Sequence, residues 1–236
     1  MEPFQFRHFS AHHRQSSFKI GTDSVLLGAW AHLDRAHSIL DIGTGCGVLA
    51  LLSAQRSDAT VHAVELDLAA AEEAQLNFKS SPWADRLHLH RVAFQDFSQQ
   101  QTPASFDHLV SNPPYFQDST LNANERKSVA RHNQRLTFAD LIIGSKQLLT
   151  TDGSLHLILP AVEAKQFCSI AQLQGMHLNR LCEVYPKPSK PVRRWLMTFS
   201  NKVIEVNRST LTHRNEDGSF SEDYLKLTEE IYPQRL

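Results

Sequence analysis

The most informative stretch of this 236-residue chain is DIGTGCGV, from Asp41 to Val48. It overlaps the end of the apolar run SILDI, which is typical of a buried strand, and it precedes a segment whose apolar residues recur every three and four positions, as in a helix. Glycine adopts backbone conformations that are closed to other residues and lets a ligand approach the main chain. The stretch therefore predicts a strand-turn-helix unit with a ligand crevice at the carboxyl end of the strand.

Strand-like and helix-like segments alternate on both sides of this turn. Strands are predicted at residues 38–42, 60–65, 87–92, 106–111 and 153–159, and helices at 48–56, 68–78 and 138–149. This alternation indicates an α/β, Rossmann-like fold with a mainly parallel sheet and helices on both faces. Strands at 178–185 and 193–200, joined by PKPSKP, predict an antiparallel edge hairpin, and Ser221 is a candidate N-cap for a final short helix.

Composition limits the classes of protein to which the chain can belong. The 24 Lys and Arg residues nearly balance the 25 Asp and Glu residues, for a net charge of -1, and 41% of the residues are hydrophobic. These values exclude a predominantly disordered or collagen-like chain. They also argue against a protein that coats nucleic acid by bulk positive charge, so any such contact must be local.

The length favours one domain over residues 1–236, with an N-terminal extension at 1–37, a core at 38–207 and a tail at 208–236. The three cysteines lack CxxC spacing, so neither a disulfide framework nor a zinc ribbon is expected. The N-terminus lacks the apolar core of a signal peptide, and no run reaches the ~18 apolar residues of a membrane span. We expect a soluble protein of the reducing cytoplasm, with no bound metal and no membrane partner.

The spacing of the glycines argues against a dinucleotide site. A GxGxxG motif that starts at Gly43 needs its third glycine at position 48, where Val48 stands. The spacing DxGxGxG instead resembles the first motif of class I S-adenosylmethionine (AdoMet) methyltransferases, which implies that the turn underlies the methionine end of that cofactor. The next predicted strand ends in Glu65, a carboxylate suited to accept hydrogen bonds from both ribose hydroxyls.

A third acid, Asp96, follows the third strand and precedes Phe97. The pair resembles the adenine-amine acceptor and the flanking stacking residue of the same superfamily. Taken singly, these acids are more simply interpreted as a strand cap, a helix N-terminal charge or a surface loop residue. Agreement of several elements along the chain favours the AdoMet interpretation.

The fourth predicted strand is followed by NPPYF, from Asn112 to Phe116. The prolines hold a rigid loop, on which the Asn112 side-chain oxygen and the Pro113 carbonyl can accept both hydrogens of a planar amine while Tyr115 stacks on its ring. A Pro-Pro turn without catalytic role is the simpler alternative. NPPY resembles the motif of amino-directed methyltransferases, which act on adenine N6, guanine N2 or glutamine N5, and it does not choose among them.

Only 40 residues precede Asp41, which leaves no room for the separate helical domain of the glutamine enzymes. FKIGTDSVLLGAWA, from Phe18 to Ala31, resembles the N-terminal motif of the bacterial tRNA1(Val) adenine-37 N6-methyltransferase family. The resemblance extends through DIGTGCGVLALLSAQR, AVELD, SPW, VSNPPYF, ARH and PKPSKPVRR, with Ser24 and Cys46 in place of the expected Gly and Thr. It implies methylation of an anticodon-loop adenine, with Lys19 to Thr22 near the methionine end of the cofactor.

Charge is segregated along the chain. Residues 58–75 carry five acids and no Lys or Arg, whereas residues 179–202 carry six basic residues against Glu183 alone, and a second basic group lies at 126–135. Such groups could bind phosphates while a base is flipped into the NPPY pocket, although a solvated face is the simpler alternative.

The resulting predictions are an AdoMet cofactor and a tRNA partner for a monomeric enzyme. The alternatives left open are a glutamine N5- or rRNA guanine N2-methyltransferase and a non-catalytic AdoMet- and RNA-binding protein. The predicted catalytic residues are Asn112, Pro113 and Tyr115. The predicted cofactor-binding residues are Lys19, Gly21, Thr22, Asp41, Gly43, Gly45, Glu65, Leu66, Asp96, Phe97 and Asn112. The predicted substrate-binding residues are Pro114, Phe116, Arg126, Lys127, Arg131, Arg193 and Arg194.

Overall fold

The computed structural model describes residues 2–13, 20–113 and 136–233 of the chain. It confirms the α/β fold with a mainly parallel sheet. The helices in the described part are α1 (Thr22–Trp30), α2 (Val48–Arg56), α3 (Leu68–Lys79), α4 (Phe94–Gln100), α5 (Phe138–Leu148), α6 (Ala161–Leu173) and α7 (Glu222–Thr228).

A two-stranded antiparallel ribbon, β1 (Phe4–Gln5) with β2 (Ser10–Ala11), precedes the main sheet. The strands of the main sheet are β3 (Ser38–Ile42), β4 (Thr60–Val64), β5 (Leu87–His90), β6 (Phe106–Ser111), β7 (Leu149–Pro160), β8 (His177–Tyr185), β9 (Arg194–Ser200) and β10 (Asn207–Thr212). Their order across the sheet is β10-β8-β9-β7-β6-β3-β4-β5, and only β9 runs antiparallel to its neighbours.

Apolar side chains fill both faces of the sheet, because successive residues of a strand point to opposite sides. Ile39 packs with α1, α2, α3 and α7 on one face, whereas Leu40 packs with α4, α5 and α6 on the other. Helices α1 and α2 approach closely at Gly28, where an added Cβ would lie 2.5 Å from Leu52 Cδ1. The core therefore consists of two apolar layers separated by the sheet, and the sheet itself positions the loops at its ends.

The structure extends the predicted C-terminal hairpin by one strand. The antiparallel pair β8 and β9 is present, but β10 pairs in parallel with β8 and forms the edge of the sheet. Five of the six residues of β10, NRSTLT, are not buried. Its sequence therefore lacks the alternation of apolar and polar residues that predicts a strand. The strand also crosses the expected boundary between core and tail at residue 207. Ser221 does cap the last helix, and its hydroxyl accepts a hydrogen bond from the Tyr224 amide.

Two properties of the described part bear on the predicted partners. None of its helices has the length and apolarity that a membrane span needs. Within the same residues, no cluster of three or more His, Cys, Asp or Glu side chains is arranged to hold a metal ion.

Candidate active site

The glycine turn and the start of the NPPY motif meet at one edge of the sheet. Strands β3 and β6 are parallel neighbours, with Asp41 paired to Val110, so the residues that follow the two strands emerge side by side. The chain runs from β3 to β4 on one side and returns through β6 on the other. Ligand crevices of open α/β sheets form at such a switch point, outside the carboxyl ends of the strands.

A cavity of about 700 Å³ opens at this position. Its walls come from the start of α1, the glycine turn, the segments after β4 and β5, the end of β6, and the β8–β9 region. The predicted site residues that line it are Gly21, Thr22, Gly43, Gly45, Glu65, Leu66, Asn112, Pro113, Arg193 and Arg194. The tertiary structure therefore gathers most of the predicted residues that it describes.

Asp41 binds the glycine turn through hydrogen bonds and does not line the cavity. Its carboxylate is fully buried and accepts hydrogen bonds from Thr44 Oγ1 at 2.5 Å and from the Ala50 amide at 3.0 Å. Burial raises the pKa of this carboxyl to about 7, against the opposing effect of the bond from Thr44. Asp41 thus fixes the turn to the first turn of α2, which is a different role from the direct cofactor contact predicted for it.

Glu65 lies just past the end of β4 and links two backbone segments of the cavity. Its Oε2 accepts from the Gly45 amide and its Oε1 from the Asp67 amide, each at 2.8 Å. A carboxylate has about four acceptor positions, so two remain for a ligand. The carboxylate is held in one orientation by the backbone of the turn it faces.

Asp96 and Phe97 are not brought to the cavity. Helix α4 begins at Phe94, two residues before Asp96, and the helical rotation leaves Asp96 exposed to solvent. The Phe97 ring is buried and packs against His90 and Phe106. The residues of this segment that do line the cavity are Val92, Ala93, Phe94 and Gln95.

The two predicted phosphate-binding arginines of the β8–β9 region differ in environment. Arg193 is exposed at the cavity, whereas Arg194 Nε forms an ion pair with Asp23 Oδ2 at 2.8 Å. The side chains of Arg194 and Asp23 are only 17% and 21% exposed. Arg194 therefore joins β9 to the start of α1, while Arg193 is the better placed of the two to meet a substrate.

Seven predicted residues lie outside the described residues. They are Lys19, Pro114, Tyr115, Phe116, Arg126, Lys127 and Arg131. Their predicted roles stay predictions.

Several lining residues escaped the sequence interpretation. Ser24 departs from the expected motif, and its hydroxyl accepts a hydrogen bond from Asn112 Nδ2 at 3.0 Å. Pro186 and His213 face the cavity from the C-terminal part of the sheet. His213 carried no local signal because it reaches the site only through the pairing of β10 with β8.

Comparison with known proteins identifies the family of the chain. Residues 15–167 match the methyltransferase small domain. A tRNA1(Val) (adenine(37)-N6)-methyltransferase from Pseudoalteromonas translucida is 40% identical over 98% of this chain and 99% of its own length. One of the same name from Actinobacillus succinogenes is also 40% identical, over 97% and 96%. The chain belongs to the tRNA1(Val) (adenine(37)-N6)-methyltransferase family.

Solved structures agree with the fold of this methyltransferase. A predicted O-methyltransferase from Agrobacterium tumefaciens superposes with a TM-score of 0.71 at 19% identity, and covers 90% of this chain and 98% of its own. A ribosomal protein L11 methylase from Lactobacillus delbrueckii gives a TM-score of 0.53 at 15% identity, over 76% and 78%. At these identities the likeness concerns the fold alone.

The methyl donor of this methyltransferase is AdoMet, and the cavity fits it. An added Cβ at Gly43 meets no protein atom within 4 Å, so the turn presents bare main chain to the open space of the cavity. Two adjacent carboxylates, Glu65 and Asp67, line the wall beside it, where hydroxyl groups of a sugar can be bound. Cys46 also lines the cavity, and burial raises the pKa of its thiol to about 12.

Gly47 is a structural requirement of the turn. Its φ of +89° is left-handed, and an added Cβ would lie 2.5 Å from Cε1 of the buried Phe78 ring. We expect Gly47→Ala to lower the free energy of unfolding by about 2 kcal/mol, from overpacking and backbone strain together. Urea denaturation measures this change.

The matched control is Gly43→Ala. Its φ of +72° gives similar backbone strain, but its methyl group meets no protein atom. It should cost only about 1 kcal/mol of stability. Equal losses in the two variants would contradict the packing argument for Gly47.

Proposed function

We propose that this methyltransferase transfers the methyl group of AdoMet to the exocyclic N6 amine of an adenine in tRNA, adenine-37 of tRNA1(Val). The observation that carries the proposal is the position of Asn112, the first residue of NPPY, at the wall of the cavity next to the glycine turn. The relatives that match nearly the whole chain are named for this reaction.

The reactive amine needs orientation because its lone pair is delocalised into the purine ring. The Asn112 side-chain oxygen and the Pro113 carbonyl are two acceptors on consecutive residues, and together they can hold both amine hydrogens. Hydrogen bonding in this way directs the lone pair out of the ring plane and toward the methyl group. The bound cofactor supplies an electrophilic methyl on a sulfonium, and the contribution of the chain is fixed geometry and fixed dipoles.

The cofactor would lie across the carboxyl ends of β3, β4 and β5. Glu65 would accept hydrogen bonds from the ribose hydroxyls, and the bare turn at Gly43 and Gly45 would lie under the methionine end. At the adenine end, Phe94 supplies an apolar ring and Gln95 a polar amide. These two replace Asp96 and Phe97 in our assignment, because α4 directs the latter pair away from the cavity.

We propose tRNA as the macromolecular partner, contacted at the rim of the cavity by Arg193. The Arg193 side chain is exposed and lines the cavity. Replacing it with alanine should weaken tRNA binding and reduce the slope of log K against log salt by roughly 0.7 to 0.9, the loss of one phosphate contact. Binding titrations at several salt concentrations measure this slope.

Lys79→Ala is the matched control, since Lys79 is exposed at the far end of α3. It removes the same charge and should leave the slope unchanged. A slope that Arg193→Ala does not alter would locate the phosphate contacts elsewhere.

The experiment that tests the reaction is incubation of the purified protein with labelled AdoMet and separate pools of tRNA, rRNA and release factor. Nucleoside analysis by mass spectrometry should find N6-methyladenosine in tRNA alone. Label in rRNA guanine or in protein glutamine would favour the corresponding alternative enzyme. RNA binding without transfer to any pool would instead favour a non-catalytic protein.

We also propose that the enzyme acts in the cytoplasm as a monomer. Its three cysteines are all free thiols, which suits a reducing compartment. Light scattering of the purified protein measures its mass, and a dimer would contradict the second part of this proposal.

A further inference from the structure

The catalytic amide of Asn112 is held by a residue far away in the chain. Asn112 Nδ2 donates to Ser24 Oγ at 3.0 Å, across a sequence separation of 88 residues. Both residues are half-buried and line the same cavity. The contact joins the first turn of α1 to the end of β6.

Orientation matters for an amide because its two ends have opposite hydrogen-bonding character. Only the oxygen of Asn112 can accept a hydrogen from the substrate amine. Rotation of the side-chain amide by half a turn would present its NH₂ group to the amine hydrogens, where it would repel them. In the structure the NH₂ end is bonded to the Ser24 hydroxyl, which leaves the carbonyl end available to the amine.

We propose that Ser24 is a positioning residue, whose hydroxyl binds the amino end of Asn112 and so keeps the carbonyl end available to the amine. Ser24 acts through Asn112 and makes no catalytic contact of its own. The inference rests on the proposed function, since it assigns Asn112 its role in amine binding.

The helix segment that carries Ser24 is packed on both sides of this residue. The preceding residue, Asp23, is paired with Arg194 of β9 at 2.8 Å, and the following residue, Val25, is buried in the core. Farther along α1, Gly28 packs against Leu52 of α2. A side chain on so constrained a helix can define the position of a hydrogen-bond partner, because little of its backbone is free to move.

The test is steady-state kinetics of methyl transfer to tRNA by Ser24→Ala. We expect kcat to fall about 3- to 10-fold, the effect of one hydrogen bond. KM for tRNA and the Kd of S-adenosylhomocysteine, measured by calorimetry, should not change. Ser24→Thr keeps the hydroxyl and should restore kcat. The matched control Ser169→Ala removes an exposed hydroxyl on α6 and should leave all constants unchanged.

A second measurement separates positioning from a general effect on the fold. In a protein that already carries Asn112→Ala, the change Ser24→Ala should not lower the residual kcat further, because Ser24 would have no amide to orient. A loss that adds fully to that of Asn112→Ala would overturn the proposal, and so would a wild-type kcat in Ser24→Ala.

The outcome for the wild-type protein distinguishes this inference from the proposed function. An active wild type with a fully active Ser24→Ala variant refutes the positioning role alone. A wild type that transfers no methyl group to any amine refutes the proposed function, and the role of Ser24 in turnover with it.

Discussion

Replacing Asn112 by alanine is expected to lower kcat for tRNA methylation by roughly 100- to 1000-fold, the loss produced when one preorganised catalytic hydrogen-bond partner is removed. In the proposed mechanism Asn112 contributes one of the two acceptors for the amine, and Pro113 cannot replace it because its carbonyl serves as the other. The effect should be confined to the chemical step. Single-turnover assays with saturating tRNA and labelled AdoMet measure it.

The cofactor provides the internal check on this prediction. Asn112 follows β6, whereas the glycine turn and Glu65 follow β3 and β4, so binding of S-adenosylhomocysteine should change little in Asn112→Ala. Asn215→Ala, which alters an exposed asparagine in the tail, should behave as wild type. Turnover at the wild-type rate in Asn112→Ala would rule out the amine-binding role.

Replacing Glu65 by alanine is expected to weaken cofactor binding about 100-fold, which corresponds to roughly 3 kcal/mol. The change removes the carboxylate proposed to bind the ribose hydroxyls. It also releases the Gly45 and Asp67 amides, so the turn loses a fixed connection to β4. Calorimetric titration with S-adenosylhomocysteine measures the Kd.

Glu72→Ala is the matched control for Glu65→Ala. Glu72 is an exposed carboxylate on α3 and does not line the cavity, so its loss changes the net charge equally and should leave the Kd unchanged. Glu65→Gln keeps one acceptor oxygen and should give an intermediate loss. A Kd that is unaffected by Glu65→Ala would mean that the ribose lies against another wall.

Glu65 and Asn112 lie in parts of the chain whose secondary structure is predicted closely by the sequence. The bounds of β3, α2 and β6 agree with those expected. Each strand is an apolar run, and the helix has apolar residues at every third and fourth position. These local patterns were enough to predict the bounds of the three elements. Because the two motifs follow directly after β3 and β6, their meeting at one sheet edge was also predictable.

Other elements depended on contacts that no local pattern contains. β10 is a polar edge strand, held by its pairing with β8, and it was missed. Helix α4, which begins at Phe94, was not predicted, and its rotation brings Phe94 and Gln95 to the cavity in place of Asp96 and Phe97. Arg194 carried the same charge signal as Arg193, and only the position of Asp23 on α1 distinguishes them.

The sequence by itself determined the α/β class, the strand-turn-helix unit at Asp41 to Val48 and the family, and it predicted the catalytic role that we propose for Asn112. Each of these rests on motifs or periodic patterns whose own residues are close together in the chain. The tertiary structure alone decided that Asp41 supports the turn without lining the cavity, that Arg194 pairs with Asp23, and that Ser24 holds Asn112. The last two contacts span 171 residues for Arg194 with Asp23 and 88 for Asn112 with Ser24. They follow from sheet order and helix packing, which bring side chains together independently of their separation in the chain.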